Sequence, residues 1–259
     1  MKLQLVPART GLVWVRLGMR TFLRQPLALA GLFFMFMAAM TVVSKLPLIG
    51  VPLAMVLLPG TTLGLMAATR EAATGKFPMP LMLLTGFRAG PQALRSMLIL
   101  GALYTLGFLT AMGACWLVDG GGFVRVYLGG ESPSAEAMLQ PGFQGAMWTF
   151  IAIHLPVSLL FWHAPALVHW HGLPPLKSVF FSMVACLRNL RALLIFGLCW
   201  MLVLMLALLA VSLLAALLNL SDSAGSLIFP MLLLMAAMFF CSLYFTYRDT
   251  FESPSGDAP

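Results

Sequence analysis

The chain has 259 residues, 61% hydrophobic and only 9% charged, with a net charge of +7 and a mean hydropathy of +0.98. A soluble domain carries about a quarter charged residues, so this composition excludes a water-soluble globule and predicts an all-α, polytopic membrane protein. The basic balance would suit nucleic acid in a soluble chain, but here the charges fall between apolar runs and no nucleic-acid partner is expected. The four cysteines, Cys115, Cys186, Cys199 and Cys241, form no C-x-x-C pair, which points to neither structural zinc nor a redox couple.

In residues 1–25, Arg9, Arg16, Arg20 and Arg24 fall at offsets 0, 7, 11 and 15, close to one face of a helix. Leu12, Val15, Leu17, Met19, Phe22 and Leu23 occupy much of the remainder. This predicts a basic amphipathic helix at the cytoplasmic face, suited to lying on an anionic leaflet, although two glycines interrupt it. A first span follows over about 26–44, opened by Pro26, then the tight turn KLPLIGVP and a second span over about 51–69. Gly60 and Gly64, extended by Ala67 and Ala68, form a small-residue face that lets another helix approach closely. Pro59 is placed to kink this span.

After the polar break REAATGKFPMP, Arg88, Gln92 and Arg95 stand at i, i+4 and i+7 and predict a second basic connector. The third span covers about 96–118. The stretch 119–145 is the long hydrophilic loop, in which Ser132-Pro133 followed by Glu136 marks the start of a short surface helix. Its glycines make no phosphate loop, because no G-K-[ST] follows them.

The fourth span, about 146–169, carries Pro156 and Pro165, which are expected to bend it. The break at Gly172-Leu173-Pro174-Pro175 then turns the chain into an interfacial helix, with Leu173 as the corner. In that helix Ser178, Ser182, Ala185 and Asn189 recur at 0, 4, 7 and 11, with Lys177 and Arg188 beside them. The fifth and sixth spans cover about 192–218 and 227–247, joined by NLSDSAGS, and the tail 248–259 has a disordered composition. One membrane domain thus occupies 26–247. The plan of basic segment, span, turn, span recurs from near residues 11, 80 and 174, as FLRQPLALAGL, FRAGPQALRSMLILG and CLRNLRALLIFG. Three repeated helix-hairpin units and the commonness of arginine before a leucine-rich span explain that echo equally well.

With both termini on one side, that side collects Lys2, Arg9, Arg16, Arg20, Arg24, Arg70, Lys76, Arg88, Arg95, Lys177, Arg188, Arg191 and Arg248, thirteen of the 15 basic residues. Lys45 and Arg125 remain for the other side, so the positive-inside rule predicts cytoplasmic termini.

Chemistry is sparse. His163, His169 and His171 cluster near the end of the fourth span, and Met231, Met235, Met238 and Cys241 recur at i, i+4, i+7 and i+10 along the sixth. Imidazole with soft sulfur would suit copper, which makes these seven the candidate metal ligands. Against this, 19 methionines are spread through the chain, Met is an ordinary filler of apolar packing, and His163 and His171 are two helical turns apart. No cofactor is expected, and Trp162, Trp170 and the histidines read more simply as an interfacial belt. No Asp or Glu lies inside an expected span, and there is no paired-carboxylate site, serine–histidine motif or H-E-x-x-H, so no enzyme is expected.

The residues Trp162-His163-Ala164-Pro165, then Trp170-His171-Gly172, Pro174-Pro175, Lys177, Ser178, Ser182 and Asn189 resemble the signature of an uncharacterised family of bacterial, chiefly proteobacterial, inner-membrane proteins. The match is sharp over about 160–197 and architectural elsewhere. The resemblance implies a six-span inner-membrane protein of a Gram-negative bacterium and carries no catalytic residue across.

Two functions fit. One is a non-enzymatic accessory or scaffold protein that binds anionic lipid headgroups or a larger membrane complex through Arg16, Arg20, Arg24, Arg88, Arg95, Lys177 and Arg188. The other is a small-molecule or metal transporter, or a channel-like protein, with the kinked fourth span as its moving part. A water-filled cavity lined by His154, Ser158 and His163 would favour the second, and a bundle packed shut the first.

Overall fold

The computed structural model describes residues 3–130, 132–218 and 224–251. Among these there is no strand, and six helices are long and apolar enough to cross a membrane. Helix α1 (Thr10–Arg24) leads directly into α2 (Pro26–Ser44), the first span. The second span, α3 (Gly50–Ala73), is the most buried of the six and forms the middle of the bundle. A 3-10 turn (Pro80–Leu84) and α4 (Thr85–Arg88) precede the third span, α5 (Pro91–Asp119). Two short helices, α6 (Gly122–Gly129) and α7 (Ala135–Leu139), fill the loop before α8 (Pro141–Phe161). The chain then breaks into α9 (Ala164–His171) and α10 (Pro175–Arg188), and ends in two spans, α11 (Leu190–Leu217) and α12 (Ala224–Phe251). The turn expected at NLSDSAGS falls chiefly on residues 219–223, outside the described residues.

Small residues set the close approaches. Gly101 of α5 leaves no room for a Cβ against the Val56 carbonyl of α3, and Gly107 rests on the Val157 side chain of α8. The Cys115 thiol donates to the Ala146 carbonyl at 3.3 Å, tying the far ends of α5 and α8. Beside α3, the Phe33 and Phe36 rings of α2 pack at a tilt against Phe240 of α12 at 5.5 and 5.8 Å. Span α11 is the least buried and stands at the periphery, held partly by Trp200 Nε1, which donates to Ser242 Oγ at 3.2 Å.

The placement of α1 differs from the surface-lying helix expected from its arginines. Its buried face is Gly11, Trp14, Val15, Gly18, Thr21 and Phe22, a helical stripe. Gly11 meets the Ala192 carbonyl and the Phe196 amide at the top of α11, while Gly18 meets Ser242 of α12. Trp14 Nε1 donates to Asp249 Oδ2 at 2.9 Å. From Trp14 to Gly18 the partner on α12 moves from Asp249 back to Ser242, so α1 descends alongside α11 and α12 instead of lying across their ends. The two glycines are the reason: they share a face with Trp14 and let two spans come close.

The segment before α1 is pinned as well. Gln4 N donates to the Thr250 carbonyl at 2.9 Å. The Asn189 amide imitates a neighbouring strand, accepting from Val6 N at 2.9 Å and donating to the Gln4 carbonyl at 3.0 Å. Both described ends of the chain therefore lie at the same end of the bundle. Residues 248–251, expected in a disordered tail, are the last helical turn of α12, because Asp249 and Thr250 are anchored by these contacts. The rest of that tail lies outside the described residues.

The second basic connector does not form as one helix. Gly90, at φ 103°, separates Arg88 on α4 from Gln92 and Arg95 on α5, a conformation that suits glycine. The 3-10 turn and α4 run back along α3 and fill its small-residue face: Gly64 receives Leu83, and Gly60 receives Phe87 and Gly86. The partner for that face is thus the chain's own connector. The leading segments of the three supposed repeats take three different shapes, a docked helix, a 3-10 turn with α4, and α10. In the long loop, Ser134 rather than Ser132 caps α7, its Oγ accepting from Ala137 N at 3.1 Å. Helix α6 was not expected. Asp119 accepts from the amides of Gly121 and Phe123, and Phe123 and Tyr127 pack over Phe150 at 5.5 and 5.1 Å.

Asn189→Ala removes both halves of the N-terminal latch, the acceptor for Val6 N and the donor to Gln4 O. It is expected to lower stability by about 1–3 kcal/mol, read as a lower unfolding midpoint in detergent with faster hydrogen exchange at Val6. Unchanged protection at Val6 would show that the latch does not hold the segment.

Candidate functional site

The fourth span was expected to run to His169. Its continuous helix ends at Phe161, and the residues α8 does supply, Pro141–Phe161, are 21, about 31 Å, enough to cross a hydrocarbon core of about 30 Å. Pro156 is carried inside α8, whereas Pro165 occupies the first turn of α9, where a missing amide has no intrahelical partner to lose. Proline at 165 cannot donate to the Phe161 carbonyl, which favours a break just ahead of it.

The break is held by a hydroxyl. In an unbroken helix His163 N would donate to the Leu159 carbonyl. Here Ser182 Oγ, from α10, stands between them: it accepts from His163 N at 3.0 Å and donates to Leu159 O at 2.9 Å. A side chain inserted in the ladder is a recognised cause of a sharp kink. Ser178, Ser182 and Ala185 are fully buried and Asn189 nearly so, while Leu176, Phe180 and Leu187 of the same helix are exposed. Helix α10 thus turns its small polar stripe inward, toward backbone that needs partners, and its large apolar residues outward. Lys177 and Arg188 are exposed, as expected.

His163 lies at the centre of this junction and is 2% exposed. The Thr246 hydroxyl donates to the Leu243 carbonyl at 2.8 Å and accepts from Trp162 Nε1 at 3.1 Å. Its remaining lone pair faces His163 Nε2 at 3.3 Å, so Nε2 carries the proton and donates. Nδ1 is then an acceptor, with Cys186 Sγ 3.7 Å away. A cysteine beside a histidine has the residue types of a nucleophile and its base. Burial, however, pushes the Cys186 thiol up to about 12, so it stays protonated at neutral pH and is a poor nucleophile. The same thiol also lies 3.6 Å from the Leu159 carbonyl, and the junction is neutral and closed.

The next corner follows the expected break. Gly172 adopts the left-handed conformation at φ 63°, and Leu173 N reaches back to the Leu167 carbonyl at 3.3 Å, the arrangement that closes a helix C-terminus. Pro175 then opens α10. Trp162 and Trp170 do not form a lipid-facing belt: both pack on α12, with Trp170 4.7 Å from the Tyr247 ring, and Arg70 stacks 5.5 Å above Trp170.

The candidate metal ligands are not brought together. His169 packs edge-on to Trp170, and the His171 ring faces Tyr247 at 6.1 Å. Met231, Met235 and Met238 are packing residues of the core, and Cys241 is buried among α2, α3 and α12 beside Thr69. Among the described residues no three of His, Cys, Asp and Glu are placed to share a metal ion. A partly open cavity of about 170 Å³ lies between α3, α5 and α8, lined in part by Thr62, Tyr104, Ser158 and Trp162, and neither His154 nor His163 lines it. His154 instead stacks on Phe150 at 4.8 Å. The basic residues Arg16, Arg20, Arg24, Arg88 and Arg95 are all exposed.

Ser182→Ala leaves Leu159 O and His163 N without their bridging hydroxyl and is expected to cost about 1–3 kcal/mol. Pro165→Ala sacrifices only backbone stiffness, about 0.4–1 kcal/mol. Unfolding midpoints of the two variants in one detergent check the order, and a larger loss for Pro165→Ala would place the cause of the break in the proline alone.

No family model matches the chain, and no solved structure matches it. A probable inner membrane protein of Burkholderia thailandensis is 38% identical to it over 262 residues, an alignment covering 100% of this chain and 97% of that protein. Identity at that level along the full length of both sequences means that the chain belongs to the same family as this probable inner membrane protein.

Proposed function

We propose that this chain is a non-enzymatic accessory or scaffold protein of the bacterial inner membrane. Both termini lie in the cytoplasm, and it works by holding lipid, or a larger membrane complex, at the cytoplasmic leaflet. The observation that carries this reading is where the polar groups go. Ser182, His163, Thr246, Trp162 and Asn189 are used to hold the chain's own backbone and one another. The exposed arginines of α1 and the connectors are left for the surroundings. A junction whose polar groups are consumed in bracing suits a fixed platform better than a moving gate. The orientation rests on the split of basic residues, and the exposed Trp116 and Trp148 near the opposite end suit a second headgroup boundary.

Two measurements test the reading. A Ser134→Cys variant is expected to label from the periplasmic side and Thr74→Cys only after the membrane is opened; the reverse pattern would invert the orientation. Proteoliposomes holding the protein are expected to leak protons, potassium and small neutral osmolytes no faster than empty ones. A protein-dependent flux that Ser158→Ala abolishes would turn the reading toward a transporter built on the cavity of about 170 Å³.

A further inference from the structure

Beside α1 runs a groove of about 690 Å³, walled by Leu12, Val15, Met19 and Leu23 on one side and by Cys199, Leu202 and Val203 of α11 on the other. Its volume falls within the range of about 300–1,000 Å³ typical of small-molecule sites. Arg16, Arg20 and Arg24 line the same groove at i, i+4 and i+8, one above the other. Neither α1 nor α11 contains an Asp or Glu, and among the described residues no carboxylate pairs with any of the three arginines. Helix α1 therefore has three strips: a buried face that docks it, an apolar strip that forms the groove, and a row of uncompensated positive charge beside that strip.

Two independent lengths give the depth of the groove. Counting back from Leu217, the last residue of α11, about 20 residues fill a hydrocarbon core of about 30 Å, and the count ends near Leu198. Cys199, Leu202 and Val203 thus lie just inside the apolar layer. From the other direction, α2 begins at Pro26 and its 19 residues span about 28 Å, so Arg24 stands at the edge of the same layer. The count along α11 puts the apolar walls against acyl chains, and the count along α2 puts Arg24 at the headgroup edge. The outward leucines Leu23 and Leu202 are 65% and 59% exposed, so the groove opens sideways to the lipid.

We infer that this groove holds one anionic phospholipid, an acyl chain lying between α1 and α11 and the phosphate set against Arg16, Arg20 and Arg24. The guanidinium fork suits phosphate oxygens, and the groove supplies the apolar half that a surface charge patch lacks. This deepens the accessory, lipid-holding reading and rests on it. In addition to surface attraction, the site is a fitted one.

The full-length protein in detergent is titrated with phosphatidylglycerol or phosphatidylcholine, and bound lipid is counted by native mass spectrometry. Two variants are compared: Arg16→Gln/Arg20→Gln/Arg24→Gln, and Leu202→Trp, which fills the groove and keeps every charge. The wild type is expected to retain phosphatidylglycerol in preference. The triple variant should weaken it by on the order of fivefold per arginine, and Leu202→Trp should lose it too. Phosphatidylglycerol bound equally by wild type and both variants would overturn the groove while leaving the lipid-holding reading intact. No preference over phosphatidylcholine in the wild type would overturn that reading as well. Displacement by millimolar inorganic phosphate would show an anion site with no acyl component and overturn the groove.

Discussion

The hydroxyl of Ser182 is the contact on which the rest of this end of the bundle depends. In a bilayer, backbone left without a partner is costly, and a break in a span is tolerated where protein re-satisfies it. Ser182 does this by inserting between Leu159 O and His163 N. In doing so it fixes α10 against α8 and thereby sets the position of Asn189 at the end of α10. Asn189 in turn clasps the backbone of Gln4 and Val6, and the clasped segment delivers α1 to α11 and α12. One buried hydroxyl, one amide and two glycines connect the kink of the fourth span to the docking of the N-terminal helix.

A second constraint is steric. Gly11, Gly18, Gly60, Gly64 and Gly101 each face another segment so closely that a Cβ would strike it. Inside a membrane helices gain little from excluding one another from water, and packing takes over that role. The glycines allow backbones to meet, and the aromatic residues fill what lies between: Trp14, Phe196, Trp162 and Phe239 form a continuous cluster of edge-to-face and tilted rings across α1, α11, α12 and the break. Arg70 of α3 sits above Trp170, which packs on Tyr244 and Tyr247 of α12.

Much of this was legible in the sequence, because span length and apolar content are imposed by the bilayer itself. The six spans, the corner at Gly172–Pro175 and the Ser178–Ser182–Ala185–Asn189 stripe were all readable from spacing. The direction of that stripe was not: serines on an amphipathic helix suggest a wet face, and only the location of the unpaired backbone of α8 explains why they turn inward. The arginines of α1 likewise drew attention away from its glycines, which decide where it docks. The pairing of His163 with Thr246 and Cys186 had no local signal, since the partners are 83 and 23 residues away. A cue was present in the one polar residue per turn at Ser242, Thr246 and Thr250 near the end of an otherwise apolar span. Such a stripe marks a face that meets polar atoms of its own chain.

The bond from Trp14 to Asp249 joins residues 235 apart, and this sets an order of assembly. A chain is made from its N-terminus at about 5–20 residues per second, so α1 emerges on the order of 10–50 s before the helix it will rest on exists. Through most of that interval Gly18 lacks its partner on α12, and Gly11 lacks Ala192 until α11 is made. Helix α1 thus completes its docking only after α12 has been made.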